Sequence, residues 1–280
     1  MITSIDHLII AVENLEEAES NYTKILGIPS SWKGEHKDFG TSNCLFNFKN
    51  TYLELLAASG DGLGADFIKQ HIKENGEGFI GISLGTDNLD NFSNVLKKNN
   101  FSVPEIIFGE GKNSNNDKTR VWKNLFLPDD LTRGMFSFII QHLSAELPMQ
   151  KAFQPEMASK LDHVVINTND ADGFINIYRD IFKIRLALDK VIESWNRRML
   201  YFRVNKTTIE VIESKNEEPA KDSLWGLAWE VESLEKACNR LQKEQVEVSS
   251  IKKGIKENTL VATIKSHTHN VPTLLIEHLN

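Results

Sequence analysis

Apolar and polar positions follow two periods in turn along the opening stretch, IDHLIIAVENLEEAESNYTKILG. Ile5 to Val12 carries the two-residue period of a strand, which places Ile5, His7, Ile9 and Ala11 on one face. Leu15, Ala18, Tyr22, Ile25 and Leu26 then recur at helical spacing, with Asn14 as an N-cap and Gly27 as a stop. Strand patterns follow at 41–48 and 51–57, where Tyr52, Glu54 and Leu56 share a face, and 63–75 reads as an inserted helix.

The same order returns at LDHVVINTNDADGFINIY. Three pairs, His7/His163, Tyr22/Tyr178 and Glu54/Glu210, share one offset of 156 (163 − 7, 178 − 22, 210 − 54). Each half divides again. GFIGISLGTDNLDNFSNVLKK sets Gly81 opposite His7, and WGLAWEVESLEKACNRLQK repeats that piece with Gly226. FIIQHL and LLIEHL close the halves and pair Gln141 with Glu277. Every quarter thus reads as a strand, an amphipathic helix and two or three further strands. The pattern predicts an α+β chain of two tandem modules, 1–143 and 161–280. SAELPMQKAFQPEMASK (144–160), with two prolines and little periodicity, is the linker.

Composition narrows the partners. A formal charge of −7 argues against nucleic acid, which requires a basic face. No apolar run is long enough to span a bilayer, and no signal-peptide pattern opens the chain, so the expectation is a cytoplasmic protein with a small-molecule ligand. Cys44 and Cys238 form no metal or redox spacing. NEEPAKDS reads as a solvated loop, and no nucleophile elbow, P-loop or dinucleotide fingerprint is present.

Four βαβββ units in two pairs, with a histidine on a first strand and a glutamate on a fourth, resemble the vicinal-oxygen-chelate superfamily of glyoxalases, bleomycin-resistance proteins and extradiol dioxygenases. HKDFGTSNCLFNFKNTYLELLA is similar to the signature of a glyoxalase-like subfamily through His36, Gly40, Thr41, Asn43, Leu45, Tyr52, Leu53, Glu54 and Leu55. The resemblance implies that each pair of units curls into an open half-barrel around a pocket, with helices outside, and that units can complete one another between subunits as in a homodimer. It also implies a divalent metal (zinc, nickel, manganese or iron) held by His7, Glu54 and Gln141 in one half, or His163, Glu210 and Glu277 in the other. Glu54 and Glu277 would be the proton-moving carboxylates. The usual second histidine is replaced by Gly81 and Gly226, which weighs against a dioxygenase needing a two-His, one-carboxylate face.

The expected chemistry is therefore that of a glyoxalase-like lyase or isomerase acting on a small carbonyl compound. The alternative is a non-catalytic binding or resistance protein with a degenerate metal site. His36, Thr41, Asn43 and Arg120 are the expected ligand contacts, and Trp122 stands beside them. Grouped polar residues in an apolar pocket orient a ligand, so the first half is expected to carry the site. In the second half Ile192, Arg197 and Met199 replace the polar trio. Trp195, Arg197 and Arg198 are weaker candidates there, His267 and His269 could face a metal together, and strand alternation turns His142 and His278 outward.

Overall fold

The structure is a computed structural model, and it describes residues 1–114, 118–144, 147–193, 195–214 and 219–279. Residues 145–146 of the linker, residues 216–218 of NEEPAKDS and residue 194 beside Trp195 lie outside the described residues. The first half runs β1 (Ile2–Ala11), α1 (Leu15–Leu26), β2 (Trp32–His36), β3 (Thr41–Asn47), β4 (Tyr52–Ala58), α2 (Leu63–Asn75) and β5 (Gly78–Thr86). It continues with α3 (Leu89–Lys98), β6 (Ile107–Asn113), β7 (Thr119–Phe126), α4 (Asp129–Thr132) and β8 (Phe136–His142). The second half holds β9 (Lys160–Thr168), α5 (Ala171–Ile175), β10 (Arg185–Ile192), β11 (Arg197–Val204), β12 (Thr207–Glu213), β13 (Asp222–Glu230), α6 (Leu234–Lys243), β14 (Lys252–Lys253), β15 (Thr259–Ile264) and β16 (Thr273–His278).

Local chemistry sets these elements. Asn14 Oδ1 accepts from the amides of Glu16 and Glu17 at the start of α1, and Gly27 ends the helix at φ 73°, in the left-handed region open to glycine. Its buried stripe is Ala18, Tyr22, Ile25 and Leu26. The insertion at 63–75 is helix α2.

Both halves place their first strands side by side. Ile9 faces Gly81 across β1 and β5, and Val165 faces Gly226 across β9 and β13, so the repeat offsets survive as equivalent registers. A Cβ on Gly81 would approach Phe136 Cδ1 to 2.8 Å, and one on Gly226 would approach the Pro272 carbonyl to 2.7 Å. Neither position has room for a histidine.

The halves differ in closure. The first forms a closed barrel in the order β1–β4–β3–β2–β6–β7–β8–β5, whereas an open half-barrel was expected. The closing seam is short, Gly34 with Asn113 and Glu35 with Lys112. A side chain at Gly34 would come within 2.8 Å of the Lys112 carbonyl, so the bare glycine lets β2 reach β6. The second half stays an open sheet, ordered β10–β11–β12–β9–β13–β16–β15–β14.

One apolar core joins α1, α3, α5 and α6 with residues of both sheets. Phe48 stacks on Trp229 at 4.4 Å and Phe92 meets Phe182 at 5.7 Å, each pair linking the halves. Polar contacts do the same. Tyr22 donates to the Thr268 carbonyl at 3.0 Å, and the Arg240 guanidinium donates to the carbonyls of Lys24 and Ile25, where the α1 dipole is negative. Arg133 donates to Asp222, Asp170 and Thr168.

The strand contact at Gly81 gives a direct test. Gly81→Ala should lower stability by about 1–3 kcal/mol, because the ring of Phe136 and the side chain of Ile9 must both give way. Urea unfolding should show the loss as an earlier midpoint with an unchanged slope.

Candidate functional site

The barrel encloses a cavity of about 370 Å³. Most of its wall is apolar: Ile9, Leu56, Phe126, Phe136, Phe138 and Ile140 from the strands, Phe67 and Ile68 from α2. One side is polar, and β1, β2, β3, β4 and β7 build it.

A bulge in β1 between Ile5 and His7 sets its starting point. It separates Ile5, which joins the core against the helices, from His7, Ile9 and Ala11. The expectation that Ile5 shares their face is corrected here, since a simple two-residue period does not survive a bulge. The bulge also leaves Asp6 beside His7, with Asp6 Oδ1 2.7 Å from His7 Nδ1.

From there the polar groups form a chain. His7 Nε2 lies 3.3 Å from Glu54 Oε2, and Asn43 Nδ2 donates to Glu54 Oε1 at 2.7 Å. Asn43 Nδ2 is also 3.3 Å from His36 Nε2, and His36 Nδ1 is 3.1 Å from Thr41 Oγ1. At the other end His142 Nε2 lies 3.0 Å from Asp6 Oδ2. Glu54 and His7 are buried, so this network answers groups that would otherwise be stranded in an apolar interior. The His7 ring stacks on Tyr52 at 4.6 Å, and Phe138 meets it edge-on. Beside them Arg120 lies over the rings of Trp32 and Tyr52, at 5.8 and 5.3 Å.

Burial and charge fix the protonation states. Burial lowers the His36 imidazole below its ordinary value, despite the nearby Glu54, so it is neutral at pH 7. Burial also raises the Tyr52 phenol well above its usual range. For Asp6 burial acts to raise the carboxyl, but hydrogen bonds from His142 and His7 outweigh it and hold the group well below the usual carboxylate range.

The structure brings His7, His36, Thr41, Asn43, Glu54, Arg120 and Trp122 to one cavity. It does not bring Gln141 there. Gln141 Oε1 accepts from the Leu89 amide and caps α3, and Glu277 Oε2 accepts from the Leu234 amide and caps α6, at 3.0 and 2.7 Å. The last strand of each half is offset by one residue from the expected alternation. His142 and His278 therefore turn toward Asp6 and Asp162, where the sequence pattern had them facing outward.

The second half repeats the Asp–His–His arrangement without the polar trio. His163 Nδ1 is 2.8 Å from Asp162 Oδ1 and 3.8 Å from Glu210 Oε1, and His278 Nε2 is 2.6 Å from Asp162 Oδ2. Arg198 is held outside by Asp189 and Asp172, and Trp195 is exposed. His269 pairs with Glu77 at 2.7 Å while His267 Nδ1 meets Ser266 Oγ, so the two histidines do not converge.

The expected metal sets can be judged on these donors. In the barrel only His7 and Glu54 converge; Gln141 is on the far face and Gly81 offers no donor. In the second half Glu277 is likewise turned away. Neither expected set fits a three-ligand centre. Among the described residues, the grouping of three donors is Asp162, Glu230 and His278, with atoms within 4.8 Å of one another. Lys160 Nζ already stands 2.8 Å from Glu230 there.

Sequence reasoning missed the aromatic wall, α2 as its cover, and Asp6. The repeated acid in IDHL and LDHV was the available signal for Asp6. Phe67, Phe126 and Phe136 also line a groove of about 850 Å³ running toward Trp225 and Pro272.

Comparisons with known proteins agree with this geometry. A glyoxalase-like domain model matches residues 5–182, and a model of the glyoxalase/bleomycin resistance protein/dioxygenase superfamily matches 160–269. A search of curated proteins gives no match. Among solved structures, a hypothetical protein from Staphylococcus aureus aligns over 98% of this chain and 99% of its own, at TM-score 0.66 and 14% identity. A mutant 4-hydroxymandelate synthase from Streptomyces coelicolor aligns over 99% and 92%, at 0.67 and 13%. A Mn(II)-bound glyoxalase from Novosphingobium aromaticivorans aligns over 100% and 83%, at 0.66 and 14%. At these identities the likeness is one of fold.

The depressed Asp6 carboxyl makes a pH prediction. Its folded value lies below the unfolded value near 4, so its stabilisation is present above that pH and is lost as pH falls. Asp6→Asn should cost about 1.5–3 kcal/mol at pH 7, the range for hydrogen bonds to a charged group. Thermal melts should show the gap to the parent protein beginning to narrow below about pH 4 and still narrowing below pH 3, toward the depressed folded value. A gap independent of pH would mean that Asp6 is not ionised in the folded chain.

Proposed function

The chain belongs to the glyoxalase-like domain family, and from that premise we propose that its first barrel is a binding site for a small, largely apolar organic molecule. One observation carries this reading. The subfamily residues His36, Thr41, Asn43 and Glu54, together with His7, meet on one side of a cavity whose remaining wall is aliphatic and aromatic. A ligand can bury its apolar body against Phe126, Phe136 and Phe138 while the polar side orients it. His36 is neutral there, and its contacts to Thr41 and Asn43 hold the ring at the polar side.

A second reading, proton transfer on the bound molecule, draws on the chain from Glu54 through His7 and Asp6 to His142, which is exposed at the end of β8. Glu54 would exchange a proton with the ligand, and His7, held by Asp6, would balance its charge. Such a step would be that of a lyase or isomerase of small carbonyl compounds. It uses the chain's own residues, since the donors at Glu54 do not make a three-ligand metal set.

Saturation-transfer NMR against small aromatic and alicyclic carbonyl compounds tests the site. Binders should compete for one position. His7→Ala and Asn43→Ala should weaken them tenfold or more, the effect of about 1.4 kcal/mol or more of lost interaction. His163→Ala and Glu210→Ala should leave affinity within about twofold, below what one lost hydrogen bond costs. The reverse pattern would move the site to the second half. Elemental analysis of the purified protein supplies a further check. One equivalent of a transition metal lost on Glu54→Gln would restore a metal-dependent reaction in the barrel.

A further inference from the structure

Arg120 is 8% exposed, a guanidinium inside the barrel wall. It has no carboxylate within ion-pair distance among the described residues, and its Nε has no hydrogen-bond partner. The two rings beneath it, Trp32 and Tyr52, attract a cation but do not neutralise it. Glu54 is the acid nearest in the pocket wall, yet both of its oxygens are taken, Oε1 by Asn43 and Oε2 by His7. The Tyr52 phenol is the polar side chain that meets it, and a buried cation with no anion beside it is costly.

Other groups in the same wall are also unanswered. Asn43 Nδ2 faces two acceptors, Glu54 Oε1 and His36 Nε2, which fixes the orientation of the amide and leaves its buried Oδ1 without a donor. The buried Oδ1 of Asn124 is in the same position. Around them the cavity is lined by phenyl and aliphatic groups.

We infer that the ligand of the first barrel is an aromatic or alicyclic carboxylic acid, bound as its anion with the carboxylate on Arg120 and the ring among Phe126, Phe136 and Phe138. This rests on the proposal that the barrel binds a small molecule, and it adds the ligand's class. One free cation matches one negative charge. Its planar fork suits a carboxylate, which can accept two parallel N–H bonds.

Affinities of 2-naphthoate and 2-naphthamide, which share ring and shape and differ in charge, test the inference by titration calorimetry. The parent protein should prefer the acid by about tenfold to a hundredfold, the range for a charge-assisted pair. Arg120→Gln should remove the preference while leaving the amide's affinity within about threefold, which also shows that the variant is folded. Arg120→Lys keeps the charge without the fork and should retain part of the preference. Equal binding of acid and amide to the parent protein, or an acid preference that survives Arg120→Gln, would overturn the carboxylate assignment and leave the barrel site standing. Binding of neither compound would overturn the barrel site itself.

Discussion

A carboxylate closed inside a barrel of hydrocarbon must be answered on both oxygens, and the arrangement around Glu54 follows from that constraint. His7 meets one oxygen and Asn43 the other. Each partner then has a demand of its own. His7 presents a second nitrogen, which Asp6 meets, and Asp6 is met in turn by His142 at the end of the strand. Asn43 faces His36, which rests against Thr41. A lone unsatisfied buried group costs about 1–3 kcal/mol, and more when it is charged, so these residues are interdependent. The β1 bulge and the bare Gly81 belong to the same solution. One brings Asp6 beside His7, and the other lets the neighbouring strand lie close without a side chain in the way.

The second half shows what happens when the constraint is relaxed. It keeps Asp162, His163, His278 and Glu210, but its sheet is open, and Met199 stands where the first half has Asn43. Among the described residues no amide donates to Glu210, which lies 3.8 Å from His163. Burial pushes its carboxyl up from the ordinary value, with His163 opposing the shift. The two halves thus share a scaffold and a histidine–aspartate pair but not a pocket chemistry.

Much of this was legible from residue patterns. Leu15, Ala18 and Tyr22 mark α1, the constant offset aligns the halves, and Gly81 and Gly226 fall at equivalent registers as the repeats imply. The signature residues of the first half could be placed near one another because they occupy adjacent strands with alternating faces. Gln141 and Glu277 could not be placed, because their final strands carry no polar alternation to reveal the phase. FIIQHL and LLIEHL fit either face equally well, and only the helix N-termini of α3 and α6 decide it. Ile5 was misplaced because a bulge leaves no mark in an apolar run. Barrel closure was hidden for a different reason. It depends on two residue pairs across the β2–β6 seam, a long-range contact that no local period encodes.

The apolar core that threads both halves has a bearing on whether either could stand alone. Phe48 lies on Trp229, Phe92 on Phe182, and the C-terminus of α1 is held by Arg240. The glyoxalase-like match itself runs past the linker and ends at residue 182, the phenylalanine that Phe92 touches. Neither half is then autonomous, since removing one would strip solvent protection from the other's helices.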